Sequence, residues 1–211
     1  MSPAGRRSAG VVLAAGGSTR MGRPKQLLVV GGRPLLELVV AQACASRLDQ
    51  VMVVLGANAE AVKRGVDLGR ASMVVNENHA AGMSTSLRTG IEALGGDVER
   101  AVIILGDQPD VSAQQIDLLL DLQAVSGLPA AALSFDGLLH PPVVLDRSLW
   151  PGLLELEGDV GCRRIIRASP ELVAALPAGS PGRHPVDIDT QDEYDRLLAD
   201  TERIVSGPGL P

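Results

Sequence analysis

Short apolar runs bounded by glycine, proline or polar residues alternate along the chain with stretches in which apolar positions recur every three or four residues. The short runs are β-branched and end too soon for a helix. They predict strands over 10–15, 50–55, 72–75, 101–105 and 129–134, with weaker ones near 142–145 and 171–176. The periodic stretches predict helices over 34–46, 58–68, 83–94, 112–124, 148–156, 159–168 and 191–203. Several helices carry end signals: Pro34 at a first turn, Ser112 as an N-cap, and Thr190 as an N-cap with Glu193 three residues on to complete a capping box. Strands alternating with helices predict an α/β fold, a mostly parallel central sheet with helices on both faces. With no internal repeat and no linker, the chain divides into a flexible start over 1–9, a single domain over 10–203 and a flexible tail over 204–211.

Ligands of an open parallel sheet gather beyond the carboxyl ends of its strands, so the loops after Ala15, Val75, Leu105 and Phe135 are expected to share one crevice. The first of them has the most distinctive chemistry. Residues 13–28 read LAAGGSTRMGRPKQLL, an apolar strand running into a glycine-rich, cationic loop. Gly16 and Gly17 permit left-handed backbone and close approach, which lets successive N–H groups turn toward an anion. Arg20, Arg23 and Lys25 add charge, and a polyanion withdrawn from water needs both kinds of partner. Two familiar phosphate motifs are excluded. Arg23-Pro24 stand where a Walker A loop requires Lys-Ser/Thr, and no G-x-G-x-x-G or ribose-binding acid after strand 50–55 supports a dinucleotide site.

The loop after strand 101–105 is Gly106-Asp107-Gln108-Pro109-Asp110. A carboxylate at a strand tip suits Mg²⁺ while leaving positions for water and phosphate, so Asp107 is the first metal candidate; Asp110 reads as a turn former or helix cap. Residues 76–86 are rich in small polar groups and end at a helix start. Asn76, Gly82 and Ser86 are candidates for nucleotide contacts there, while Ser84 as an N-cap and Asn76 as a turn residue are the structural alternative. Asp189, just before the last helix, either completes a metal shell or only serves the helix terminus. Arg163 and Arg164, behind the turn at Gly158-Asp159, either grip the phosphate of a second substrate or cover a helix face. His140, before Pro141-Pro142, is placed to shape an acceptor pocket or is structural, and none of the three histidines pairs with a recognisable Ser or Cys nucleophile.

Composition narrows the classes. Of 211 residues 45% are hydrophobic, yet Phe, Trp and Tyr occur once each, so the core is aliphatic and no base-stacking nucleic-acid platform is available. A net charge of −6 disfavours attraction to DNA or anionic membrane and confines positive potential to a local site. Cys44 and Cys162 stand far apart with no metal-binding spacing and read as reduced thiols. No apolar stretch is long enough for a signal peptide or membrane span, and a cytoplasmic location is expected by default.

With these segments in place the chain resembles the MobA-like nucleotidyltransferases, and within them the molybdenum-cofactor cytidylyltransferase branch. The shared motifs are LAAGGSTRMGRPKQLL, NENHAAGMSTSL, LGDQPD, LLHPPVVL, GDVGCRR and DIDT, in order from Val11 to about Leu198. The resemblance implies a Rossmann-like nucleotidyltransferase fold, and transfer of a nucleotide from an NTP to a phosphate with release of pyrophosphate. It implies Mg²⁺ (or Mn²⁺) as the ion and a phosphorylated small molecule as acceptor, with a molybdoenzyme as client. By position, Leu13, Ala14, Ala15, Gly16, Gly17 and Ser18 line the nucleotide site, Arg20 and Lys25 meet the triphosphate, and Asp107 holds the metal. His140, Asp159 and Arg163 fall to the acceptor. In this family LAAG goes with cytidine and LAGG with guanosine, so Leu13-Ala14-Ala15-Gly16 implies CTP. The segment 137–142 departs from the pattern, lacking the usual Gly directly before His-Pro, which leaves the acceptor open. Relatives with similar loops carry other labels, including nicotine blue oxidoreductase. The alternatives are therefore a sugar-phosphate nucleotidyltransferase, an NADPH-linked reductase and a non-catalytic cofactor chaperone.

Overall fold

The computed structural model describes residues 6–18, 21–177, 188 and 190–206. Its centre is a seven-stranded sheet. In chain order the strands are β1 (Ser8–Ala14), β4 (Gln50–Leu55), β5 (Ser72–Val75), β6 (Arg100–Leu105), β7 (Ala130–Phe135), β8 (Leu138–Asp146) and β9 (Val173–Pro177). A separate two-stranded ribbon pairs β2 (Val29–Val30) with β3 (Arg33–Pro34). Across the sheet the order is β5-β4-β1-β6-β8-β7-β9, and only β8 runs against its neighbours. This is the expected mostly parallel Rossmann-like sheet.

The helices are α1 (Leu35–Ala45), α2 (Ala59–Gly65), α3 (Met83–Glu92), α4 (Ala113–Ser126), α5 (Trp150–Leu154), α6 (Arg163–Ala168) and α7 (Gln191–Ser206). Strand side chains alternate between the faces. Val12 of β1, Val53 and Leu55 of β4, and Val102 and Ile104 of β6 enter one core with α1, α2 and α4. Ala9 and Val11, Val54, and Ala101 and Ile103 enter the other with α3, α5 and α6. Burial on both sides is why these strands read as unbroken apolar runs. A third cluster seats Tyr194 of α7 against Leu28, Val30 and Leu35, and the Tyr194 hydroxyl donates to the carbonyl of Val29 at 2.6 Å.

Several boundaries differ from the sequence pattern. Ser8 and Ala9, expected in a flexible start, already belong to β1, and Arg6 ahead of them bonds Glu99 at 2.8 Å and pairs with Asp146. Residues 204–206, expected in the tail, continue α7. The strand near 142–145 extends to nine residues and turns back on β7 through left-handed Asp136 (φ 48°) and Gly137 (φ 76°), so the loop after Phe135 is a tight hairpin. The helix expected over 58–68 stops at Gly65, and the one expected from 159 begins at Arg163 because residues 158–162 form a turn. Both capping signals hold. Ser112 and Gln115 bond reciprocally, as do Thr190 and Glu193.

Candidate functional site

Backbone hydrogen bonds tie the loops at the carboxyl ends of the parallel strands into one rim. The N–H of Gly106 donates to the carbonyl of Leu13 at 2.9 Å, that of Ala57 to Ala15 at 3.3 Å, and that of Asn76 to Leu55 at 2.8 Å. Loops after β1, β5 and β6 therefore meet, as the topology predicts, and the loop after β4 joins them; the loop after Phe135, expected in the same crevice, is the hairpin into β8, and none of these bonds reaches it. Within the first loop Ala14 and Ala15 have buried side chains, so a ligand meets them through the main chain, while Gly16 and Gly17 are exposed.

The loop is bent by residues other than those the glycines suggested. Among its described residues the left-handed positions are Ser18 (φ 53°) and Gly22 (φ 63°), not Gly16 or Gly17. Ser18 tolerates this backbone because its Oγ accepts from the N–H of Lys25 at 2.9 Å and its carbonyl accepts from Met21 at 3.0 Å. Arg23 and Lys25 also separate. Arg23 turns onto α7, donating to Gln191 Oε1 at 2.9 Å with its guanidinium 5.4 Å from the Tyr194 ring centroid. Arg20 lies outside the described residues. Lys25 reaches across to β6, where its Nζ pairs with Oδ2 of Asp107, their side chains only 18% and 15% exposed.

Asp107 thus lies at the strand tip with a cation from the β1 loop against it. Ile188 joins the same point, its N–H donating to the Asp107 carbonyl at 3.4 Å. Asp189, the second metal candidate, lies outside the described residues. Among the described residues no three His, Cys, Asp or Glu side chains cluster to hold a metal by themselves. A single largely buried carboxylate nevertheless fits a hard divalent ion that takes its other ligands from phosphate and water.

The loop after β5 is bonded to the helix that follows it. Asn76 is buried and its side-chain amide donates to Thr85 Oγ1 at 2.8 Å and Ser86 Oγ at 2.9 Å, while its Oδ1 accepts from the N–H of Asn78 at 2.9 Å. Asn76 and the equally buried Ser86 hold the loop to the helix, a supporting role beside the nucleotide contact expected of them. The cap of α3 is Gly82 rather than Ser84. Its φ of 110° excludes most side chains, and a Cβ there would lie 2.3 Å from the carbonyl carbon of Gly158. The first N–H groups of α3 are occupied: Met83 donates to Asp159 Oδ1 at 3.4 Å, Ser84 to the Gly158 carbonyl and Thr85 to that of Gly82, both at 3.2 Å. The free helix terminus read from the sequence is filled by the turn at 158–159, and Asp159, assigned to the acceptor, accepts from its first N–H.

The remaining acceptor candidates lie on the far half of the sheet. His140 is half-buried on β8 opposite Leu133, its ring edge-on to Phe135 at 5.8 Å and the peptide between Pro141 and Pro142 cis. Arg163 opens α6 and is half-buried. Beside it Cys162 is enclosed; burial pushes its thiol up to about 12, against the weaker opposing pull of the Arg163 charge. Both cysteines are free thiols, as expected. Among the described residues no helix is long and apolar enough to cross a membrane.

One residue escaped the sequence reading. Gln26 is buried, and its side-chain Nε2 donates to the carbonyls of Ala14 and Gly16, both at 2.9 Å. The signal available was a lone amide in the apolar run ahead of Leu27 and Leu28.

Comparison with known proteins agrees with this geometry. The model of the MobA-like NTP transferase domain matches residues 10–174. The chain is 33% identical to nicotine blue oxidoreductase of Paenarthrobacter nicotinovorans over 198 residues, covering 90% of this chain and 95% of that one. It is also 33% identical to the purine catabolism protein PucB of Bacillus subtilis over 201 residues, covering 89% and 94%. Among solved structures, Rv0371c of Mycobacterium tuberculosis in complex with manganese superposes with a TM-score of 0.79 at 30% identity, covering 92% of this chain and 98% of the other.

Proposed function

This chain belongs to the MobA-like NTP transferase family and is a nucleotidyltransferase, and from that premise we propose that it moves CMP from CTP to the phosphate of a molybdopterin-type cofactor in the cytoplasm. The observation that carries the reading is the Lys25–Asp107 pair, which joins the glycine-rich loop of β1 to the carboxylate at the tip of β6. The LAAG sequence of residues 13–16 supports cytidine.

In the proposed reaction an acceptor phosphate oxygen forms a bond to the α-phosphorus as the bond from that phosphorus to the bridging oxygen breaks, and its electron pair leaves with pyrophosphate. A phosphate monoester, with a second pKa of about 6, is already largely dianionic at neutral pH, so the chain has no need of a general base. Main-chain groups of residues 13–18 position the nucleotide, and Lys25 and Arg20 offset charge growing on the leaving group. Asp107, with Asp189 as a second candidate, would hold Mg²⁺ or Mn²⁺. When bound, that ion supplies electrostatic neutralisation of the phosphates; the manganese complex of Rv0371c supports a divalent ion in this fold. His140, Asp159 and Arg163 remain the proposed acceptor side, Asp159 acting by fixing the 158–159 turn.

The likeness to nicotine blue oxidoreductase favours one second reading, an NADPH-linked reductase acting in the same crevice. The test is pyrophosphate release with each of the four NTPs and either a molybdopterin or a sugar phosphate, beside an NADPH oxidation assay. Release with CTP and the pterin alone is expected. Release with a sugar phosphate redirects the acceptor, and NADPH oxidation without pyrophosphate overturns the reading.

A further inference from the structure

We propose that Gln26 is the positioning residue of the nucleotide loop: by binding the carbonyls of Ala14 and Gly16 it aims the N–H of Gly17 at a nucleotide phosphate. The inference rests on the transferase reading and extends it to a residue outside the reacting groups. Gln26 sits in the turn Lys25–Leu27 and is 2% exposed. Its Nε2 has two hydrogens, and both are taken by main-chain carbonyls of the loop.

The consequence follows from peptide geometry. In a planar trans peptide the N–H points opposite to the carbonyl, and among the described residues the only cis bond joins Pro141 and Pro142. Drawing the Gly16 carbonyl toward buried Gln26 therefore turns the Gly17 N–H to the other side of the loop, where Gly17 is exposed. The Ala15 carbonyl is held separately by Ala57, so the peptides on either side of Gly16 are fixed independently.

The arrangement also has a cost. Gln26 Oε1 is buried without a hydrogen-bond partner among the described residues. An unpaired buried acceptor is destabilising, and an apolar residue would avoid it, but would orphan two loop carbonyls and release the 16–17 peptide. A tolerated penalty next to a binding loop is what a positional requirement produces. Hydrogen bonds from a correctly aimed amide act on bound substrate and transition state alike, so the residue is expected to govern KM more than kcat.

Gln26→Met keeps length and volume but supplies no donor. Titration of CTP with Mg²⁺ into both proteins should show Kd raised about tenfold or more in the variant. The KM for CTP should rise in step while kcat at saturation holds, with the circular dichroism spectrum of the wild type retained. In wild-type protein, saturating CTP should shift the Gly17 amide resonance and slow its exchange. A folded Gln26→Met protein binding CTP within about twofold of wild type overturns the proposal. So does a loss in kcat as large as the rise in KM, which would signal collapse of the loop. A wild-type Gly17 amide that CTP leaves untouched overturns it without recourse to any variant. A wild-type protein that binds none of the four NTPs refutes the transferase reading instead.

Discussion

Lys25 and Asp107, 82 residues apart in sequence, meet as an ion pair at the tip of β6 with both side chains largely withdrawn from solvent. Partial burial strengthens the attraction between opposite charges and raises the penalty for leaving either one alone. On the proposed reading a triphosphate would offer Lys25 other oxygens and so free the carboxylate for a divalent ion. Lys25→Ala is therefore expected to lower kcat by about 10²- to 10³-fold while changing the Kd for CTP much less, because the charge on the leaving pyrophosphate grows only during reaction. Pyrophosphate release and calorimetric binding on the same preparation check this, and equal losses in both would contradict the role.

Asp107→Asn keeps the shape of the strand tip but removes the negative oxygen. Binding of Mn²⁺ in the presence of CTP, followed by electron paramagnetic resonance, should weaken by about tenfold or more, as expected when a hard cation loses its carboxylate. Unchanged Mn²⁺ affinity would move the metal site elsewhere.

At the opposite end of the sheet Asp146 gives an acid-side prediction. Its burial acts to raise the carboxyl pKa, but the N–H of Ser148 and the guanidinium of Arg6 together outweigh that, leaving it below the ordinary 3.8. A carboxyl lowered in the folded state stabilises fully above its ordinary pKa, and that contribution is lost as pH falls through the lower folded value. Asp146→Asn should flatten the acid limb of the curve of urea midpoint against pH between about 5 and 2. An unaltered limb would show that other carboxylates dominate it.

How much of this was legible depends on whether a residue's partners are local. β1, β4 and β6 could be read because residues 11–14, 51–55 and 101–105 within them are all apolar and both faces are covered. Asp107 stood out as a carboxylate directly after such a run. The direction of β8 could not be read, since a strand's period carries no sign. Val29–Val30 and Arg33–Pro34 are too short to show a period. Asp159 accepting from Met83 joins residues 76 apart, and Arg23 resting on Tyr194 joins the β1 loop to the last helix, so neither has a local signature. Gln26 was hidden for another reason: its partners are main-chain carbonyls, which no side-chain pattern reports.

Cys162 is fully enclosed, and burial holds its thiol up at about 12, so the reactive thiolate is scarce at neutral pH. In a Cys44→Ser background the folded protein should resist iodoacetamide, and modification should appear only after unfolding in guanidinium. Mass spectrometry reads the difference; rapid labelling of the native protein would show that α6 opens readily.

Gly82 and Gly158 separate two reasons for a glycine at one contact. Both have left-handed backbone, with φ of 110° and 71°. A Cβ on Gly158 would meet nothing within 4 Å, whereas one on Gly82 would lie 2.3 Å and 2.4 Å from the carbonyl carbon and oxygen of Gly158 and 2.6 Å from the nitrogen of Asp159. Gly158→Ala carries only the backbone penalty, about 1–2 kcal/mol. Gly82→Ala adds a main-chain collision that no rotamer relieves, and should cost about 2–4 kcal/mol in urea unfolding. Because that collision pushes the 158–159 turn off the start of α3, it should also release the amides of Met83 and Ser84 to faster hydrogen exchange. Equal destabilisation by the two substitutions would mean that backbone conformation alone, and not the close approach of the two loops, decides the need for glycine at this contact.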